Sequence, residues 1–459
     1  MKYLIYLISL LFIGFSCFAE GGAKDFLSGK LQKLKWKDLE VVYLEDDRLP
    51  VYSMVVYFAD GALSETKAKG ISQAAFEFLS LGTNRFSQKD IADNLEFFGA
   101  SYSSNVTHEY STYTVSGLVK DINPTIKKIC HLFADATYPI KELKKEKVRV
   151  VNALQNLPNN PGGLASRIFR EISLGGTPFA YPVEGKMKDI KGWTQPTLRG
   201  HLAYFNEKVK KRVYITGPKS ILGIKSIIND ECGWSGKGKF VREVTYKKKE
   251  KAKGPKITLV TVPTANQAQV RIGKFLNRDE IKQSELMALA ADYLGGGFTS
   301  RLMRTLRVES GLTYGVGAFA GGQKEYGRAG IMTSTDVKTV SELLKKTKAT
   351  LDKGAAGEIK EVDLKRSQGS MAGSYPFGFE SSSSYLTQLM YLDHVGMDYS
   401  ELVLFPERIR SFKAQEVAKK IKSLYEWETL DIVIVGPKSL FPELKKVGKT
   451  EVKTYKNYL

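Results

Sequence analysis

Apolar and polar positions along the chain alternate between two spacings. Short runs of β-branched and aromatic residues are interleaved with stretches whose apolar positions recur at helical intervals. In the first half, residues 51–58 (VYSMVVYF) predict a strand, 70–81 a helix, 110–118 a strand and 122–136 a helix. In the second half, 256–260 and 267–272 predict strands, 284–294 a helix, 327–335 a strand, and 338–353 and 358–371 helices. The mixture, with its local hairpins, predicts an α+β chain of sandwich-like sheet and helix layers rather than a doubly wound parallel sheet.

Internal repetition refines this picture. The segment Val213-Tyr-Ile-Thr-Gly217-Pro-Lys-Ser220 returns as Ile434-Val-Gly436-Pro-Lys-Ser439, each a β-rich run entering a Gly-Pro turn. Each half also carries an apolar helix that ends in a glycine turn, at 78–82 and 293–297. The chain therefore divides into two related domains, residues 20–236 and 256–459. Residues 237–255 join them as a Lys-rich, solvated linker that ends in Gly254-Pro255, with one short strand at 240–246 as an option.

Composition narrows the function. Among 459 residues, 69 Lys and Arg face 49 Asp and Glu, a formal net charge of +20, and 42% of residues are hydrophobic, enough for more than one core. Nucleic-acid binding would require a basic face interleaved with exposed aromatics or a reader motif, and the sequence shows neither. The charge is left as a solubilising surface or as steering toward an acidic partner or peptide. At the N-terminus, Lys2, an apolar run over residues 3–15 and small residues after it predict a signal peptide of residues 1–19. That run is shorter than the roughly 20 residues of a bilayer span. Export to the periplasm is expected, with lipid anchoring through Cys17 the less favoured route. In an oxidising compartment Cys130 and Cys232 either form one disulfide or remain two buried thiols.

Candidate chemistry is sparse. There is no GxGxxG, no phosphate loop and no GxSxG. His108, His131, His201 and His394 are isolated from one another, whereas zinc sites are recognised by His pairs a few residues apart on one element. Each reads as a surface or core-edge histidine. Ser381 to Ser384 read as a polar turn or a helix start.

The segment Gly70-Ile-Ser-Gln-Ala-Ala-Phe-Glu-Phe-Leu-Ser-Leu-Gly-Thr83 resembles the first-domain helix of the peptidase M16 family, the inverted zinc peptidases that include insulysin, pitrilysin and mitochondrial processing peptidase. In active members this helix carries H-x-x-E-H. Here the two His positions are Gln73 and Glu77, and the general-base position is Phe76. The distal zinc-binding Glu of the family maps to Ala153, in the stretch Glu146-Lys-Val-Arg-Val-Val-Asn-Ala153. An amide, a phenyl ring, a lone carboxylate and a methyl group lack the ligands that hold zinc and the base that activates its water. Read without the family, Gln73 and Glu77 are a solvated helix face.

Further landmarks are Glu65, residues 99–103, 178–182 and 267–273, and above all Leu294-Gly-Gly-Gly-Phe-Thr-Ser-Arg-Leu-Met-Arg-Thr-Leu-Arg-Val-Glu-Ser-Gly-Leu-Thr-Tyr314. The last is similar to the family signature L-G-x-G-x-x-S-R-L-x-x-x-L-R-x-x-x-G-L-x-Y. The resemblance implies two homologous LuxS/M16-type α/β sandwich domains forming half of a clam-shell peptidase. It also implies that Arg307 and Tyr314 hold the substrate backbone. By spacing alone, Arg307 would pair with Glu309 and Tyr314 would pack in a strand. Gly295 to Gly297 and Gly311 read as turns and points of close approach, and Arg301 as a helix brace.

With its zinc motif erased and its Arg and Tyr present, the sequence is expected to be the noncatalytic, substrate-binding subunit of an exported M16 zinc peptidase heterodimer. It would have no metal or catalytic residue of its own. Zinc would be held by an HxxEH-bearing partner, and unfolded peptide would be the substrate. The alternative is an inactive homodimeric peptide-binding or scaffold protein without a catalytic partner. A third option is a degenerate enzyme that recruits metal through Glu77 and a distant histidine.

Overall fold

In the computed structural model, which describes residues 30–66, 68–238, 244, 255–263 and 265–459, the strands assemble into two six-stranded mixed sheets. The predicted signal peptide, Cys17 and the optional strand at 240–246 lie outside the described residues, apart from Val244. The first sheet comprises β1 (Leu31–Trp36), β2 (Leu39–Glu45), β3 (Val51–Phe58), β4 (Ser101–Val106), β5 (Ser111–Leu118) and β6 (Lys211–Gly217), in the order β1-β2-β6-β3-β5-β4. The second comprises β7 (Lys256–Thr261), β8 (Gln267–Asn277), β9 (Val316–Gly322), β10 (Tyr326–Asp336), β11 (Asp431–Gly436) and β12 (Thr450–Thr454), in the order β12-β7-β11-β8-β10-β9.

The repeated Gly-Pro segments occupy the same slot in both sheets. β6 runs parallel to β2 and antiparallel to β3, and β11 runs parallel to β7 and antiparallel to β8. The sheets differ at one edge, where β1 is antiparallel to β2 but β12 is parallel to β7. At the end of β6, Gly217 has φ +148°, and a Cβ there would lie 2.9 Å from the Val51 carbonyl oxygen. Glycine is the residue that tolerates both constraints.

Alternation along each central strand divides its side chains between two cores. Met54, Val56 and Phe58 of β3 enter the first inner core, whereas Val55 and Tyr57 face outward into another apolar cluster. Ile432 and Ile434 of β11 enter the second inner core, whereas Val433 and Val435 face outward. Both faces are buried, which accounts for the nearly continuous apolar runs in the sequence.

The cover on each outer face comes from the opposite half. In helix α1 (Pro161–Ser173), residues Leu164, Ala165, Ile168 and Phe169 form a stripe against Val260, Val433 and Val435 of the second sheet. In helix α2 (Ser382–Val395), Tyr385, Leu386, Leu389 and Met390 pack on Val42, Leu44, Val55 and Tyr214 of the first. The halves thus exchange helices as well as sharing a linker. Ser381 accepts a hydrogen bond from the Ser384 backbone N–H at 3.1 Å, so the serine run is the capped start of α2.

Element edges differ modestly from the sequence reading. The helix expected over 70–81 ends at Glu77 and tightens into a 3-10 turn at Leu79–Leu81, a common way of using the last orphan carbonyls. The helix expected from 338 begins at Val340, because the Asp336 side chain caps a preceding turn through the Lys338 N–H at 2.8 Å. The one expected over 358–371 runs Glu361–Ser374. Cys130 and Cys232 are joined by a disulfide inside the first core, which decides between the two states left open for them.

Candidate functional site

The altered metal motif lies on the short helix α3 (Ile71–Glu77). Its start is set by Glu65, whose carboxylate accepts the backbone N–H groups of Gly70 and Ser72, both at 2.9 Å. Burial raises the pKa of that carboxylate. Ile71, Ala74, Ala75 and Phe76 form the buried side of the helix. The Phe76 ring meets Phe58 and Phe205 edge-on, each at 5.0 Å between centroids, and Phe133 at 6.0 Å. The base position of the motif is therefore a core residue.

Gln73 and Glu77, four residues apart, share the other side. Gln73 Nε2 donates to Glu77 at 3.3 Å. The second Glu77 oxygen accepts from Arg149 at 2.6 Å, and Arg149 reaches Glu146 at 2.5 Å. Arg149, Glu146 and the exposed Ala153 lie on helix α4 (Ile140–Gln155). The two helices that carry these positions are thus joined by the Arg149 guanidinium. The α3 face is solvent-accessible, with Glu77 exposed and Gln73 half-buried, and the added feature is the ion pair that Arg149 makes with Glu77 from the neighbouring helix.

These residues do not fit zinc. Both Glu77 oxygens are engaged, Phe76 points into the core and Ala153 offers a methyl group. Among the described residues, no group of three or more His, Cys, Asp or Glu side chains is placed to share a metal.

His131 and His201 sit at the core edge, whereas two histidines differ from the surface or core-edge reading. His108 and His394 are buried where the halves meet. His108 contacts the Tyr181 carbonyl at 2.9 Å and the Tyr326 hydroxyl at 3.2 Å; His394 contacts the Tyr57 hydroxyl at 2.9 Å and Glu109 at 3.3 Å. Glu109 in turn accepts the Lys324 and Glu325 backbone N–H groups at 3.0 and 2.7 Å, tying the β9–β10 turn to the first half. His201 lies 2.8 Å from Ser72 Oγ, and burial holds its pKa down at about 4. His131 is 3.6 Å from Glu231. Among the described residues no histidine joins Glu77.

In the second half, Gly295 ends helix α5 (Ser284–Gly295) against β9, where a Cβ would lie 2.3 Å from Ala318 N. Gly311 has φ +62°. Between them Leu302 and Leu306 anchor the segment in the core, and Arg304 pairs with Asp363 at 3.3 Å. Arg307 is half-buried, with its guanidinium 5.0 Å from the centre of the Phe298 ring. Tyr314 is 86% exposed, so it is not packed in a strand. Among the described residues Arg307 makes no ion pair with Glu309. Phe298 and Val308 are exposed beside it, at 73% and 71%. The strand β4 pairs with β5 on one side and leaves its other edge open, with Ser101, Tyr102, Ser103 and Asn105 exposed.

Two family models match the chain, one described as insulinase (peptidase family M16) over residues 40–175 and one as the peptidase M16 inactive domain over residues 212–371. The fold is that of the M16 peptidase family. The second match begins inside β6, so that range includes strands of both sheets. Among similar proteins is a non-peptidase homolog, YmxG, from Helicobacter pylori, 24% identical over 417 residues, covering 89% of this chain and 94% of that one. An uncharacterized zinc protease YmxG from Bacillus subtilis is 24% identical over 338 residues, covering 72% and 80%. A solved peptidase M16 inactive domain from Pseudomonas fluorescens superposes with a TM-score of 0.79 at 21% identity, covering 89% of this chain and 98% of that one. A Helicobacter pylori protease structure gives 0.75 at 15% identity, covering 89% and 100%. The M16 resemblance drawn from the sequence is borne out as a fold. Sequence reasoning missed Arg149 as the group that occupies the motif; the signal available was a cation spaced i+3 from Glu146 in the quoted stretch.

Proposed function

We propose that this chain is a noncatalytic M16-type peptide-binding protein. The carrying observation is Phe76: the position that would need a proton acceptor is packed among three other aromatic rings. Peptide binding is supported by the open β4 edge, which can accept an added strand through backbone hydrogen bonds, and by Arg307 and Tyr314, whose donors are available at the surface. The Helicobacter relative, named a non-peptidase homolog, agrees with this reading. The test is fluorescence anisotropy with labelled unfolded peptides and added zinc. Saturable binding without cleavage is expected; stoichiometric zinc uptake with hydrolysis abolished by a chelator overturns it.

A second, finer reading is favoured by the exposure of Tyr314. In it the chain is one half of a clam-shell heterodimer, presenting Arg307 and Tyr314 to a site whose zinc is held by an HxxEH-bearing chain. Co-purification with such a chain, and loss of the complex's activity in Arg307→Ala, distinguish it from a homodimeric or scaffold role.

We further propose export to the periplasm with removal of residues 1–19, which the Cys130–Cys232 disulfide supports. Intact mass of the mature chain tests this. A chain beginning at Glu20 is expected, and an acylated chain beginning at Cys17 would assign lipid anchoring instead.

A further inference from the structure

Where the two halves face each other, a cavity of about 320 Å³ is walled by Gln73 and Asn105 beside the β4 edge, Arg170 of α1, and Gln323 and Arg328 of the β9–β10 hairpin. Two guanidinium groups therefore line one small space. Among the described residues neither Arg170 nor Arg328 makes an ion pair. Arg328 lies 5.7 Å from the Phe319 ring centre, and burial together with repulsion from Arg170 lowers its pKa to about 10. The other ionisable groups on the wall do not neutralise the pair. Glu184 is held by Arg167, and His108 is fixed by Tyr181 and Tyr326, with burial lowering its pKa. The Gln323 side-chain oxygen is buried without a hydrogen-bond partner.

Two like charges in a partly desolvated space are unfavourable until an anion enters. A carboxylate, with two oxygens in one plane, suits the arginine fork. Asn105 and Thr107, at the end of β4, also line the cavity, so a peptide added to that edge would run toward the two arginines. We propose that this cavity binds a carboxylate of the bound peptide, either its C-terminus or an acidic side chain. The proposal rests on the peptide-binding reading above.

The experiment uses the full mature chain and three labelled peptides of one sequence free of acidic residues: the free acid, the C-terminal amide, and the amide with one Glu placed near its end. One or both carboxylate-bearing peptides are expected to bind about ten- to a hundredfold tighter than the plain amide. The free acid gaining alone assigns the C-terminus, and the Glu peptide gaining alone assigns the side chain. That advantage should be lost in Arg170→Gln and in Arg328→Gln. Equal binding of all three peptides, or an advantage that survives both substitutions, overturns the proposal. N-acetylglycine separates the two readings. If no peptide binds but N-acetylglycine raises the melting temperature of the wild type and not of Arg328→Gln, the cavity stands and the peptide reading falls; if it raises neither, both fall. Without ligand, Arg328→Gln is expected to melt at or above the wild type, because it removes an unpaired charge. A clear drop would make Arg328 a structural residue and overturn the assignment.

Discussion

The Arg149 guanidinium lies 2.6 Å from the Glu77 carboxylate and joins the two helices that the family's metal would bridge. A positive group thus still spans the gap, but an arginine is permanently charged and offers neither an open coordination position nor a bound water. The pair is solvent-accessible, at 56% and 38% for the two side chains, so its energetic role is limited. Arg149→Met is expected to lower unfolding stability by less than about 1 kcal/mol in urea denaturation. A loss above about 2 kcal/mol would identify the bridge as a structural pin.

Phe76 should behave in the opposite way. Its ring is 1% exposed and contacts three other aromatic rings. Phe76→Ala is expected to cost about 3–5 kcal/mol by urea denaturation. The same packing predicts that the motif cannot be restored by substitution alone. A chain carrying Gln73→His, Phe76→Glu, Glu77→His and Ala153→Glu places a carboxylate where rings now meet. It should melt well below the wild type with or without zinc. A zinc-stabilised, hydrolytic variant would refute this account of the site.

The sequence carried the parts of this structure whose cause is local. Strand β11 was legible because Ile432, Val433, Ile434 and Val435 form an unbroken apolar run, and its slot was legible because Gly436-Pro437 repeats Gly217-Pro218. The exchange of α1 and α2 was not, because an apolar stripe such as Leu164, Ala165, Ile168 and Phe169 shows that a helix is covered without showing which sheet covers it. Gln73, Phe76, Glu77 and Ala153 could be placed by resemblance. The ionic bridge could not, since Arg149 is one of many cations in a Lys-rich helix and its partner lies in another element. His108 and His394 were misjudged for the same reason: what buries them is the meeting of the two halves around Glu109.

Stability should fall on mild acidification through His201. Its folded-state pKa, about 4, lies below the ordinary value of 6.5 because burial disfavours the charged ring. The unfolded chain therefore binds the proton first. The contribution is fully present above about pH 6.5 and is lost progressively as pH falls toward 4, with a limiting size of about 3 kcal/mol. His108, also lowered by burial, adds in the same direction. Urea midpoints at pH 7 and pH 4.5 should differ more for the wild type than for His201→Gln; parallel shifts would remove His201 from the explanation.

The disulfide closes a separation of 102 residues between Cys130 and Cys232, so most of its effect is expected on the unfolded chain. Replacing both cysteines by Ala should cost about 2–5 kcal/mol and leave the native circular dichroism spectrum unchanged. The same loss should appear in the wild type under reductant. Equal stability in oxidised and reduced wild type would show that the crosslink does little.

Arg307 and Tyr314 make the complementary case, in which folding and binding should separate. Tyr314 is 86% exposed and Arg307 rests on the exposed Phe298 ring, so neither removal opens a cavity or strands a buried charge. Arg307→Ala and Tyr314→Phe should each keep unfolding stability within about 0.5 kcal/mol of the wild type. Binding of unfolded peptide should weaken, and more for Arg307→Ala, because a charged fork makes stronger hydrogen bonds to a carbonyl than a single hydroxyl does. A loss of about tenfold or more in affinity is expected for that variant. Arg307→Lys distinguishes the fork from the charge: if the geometry of the guanidinium holds the peptide backbone, lysine recovers little of the loss. Full recovery by lysine would reassign Arg307 to general electrostatic attraction, and unchanged affinity in all three variants would place the peptide elsewhere on the molecule.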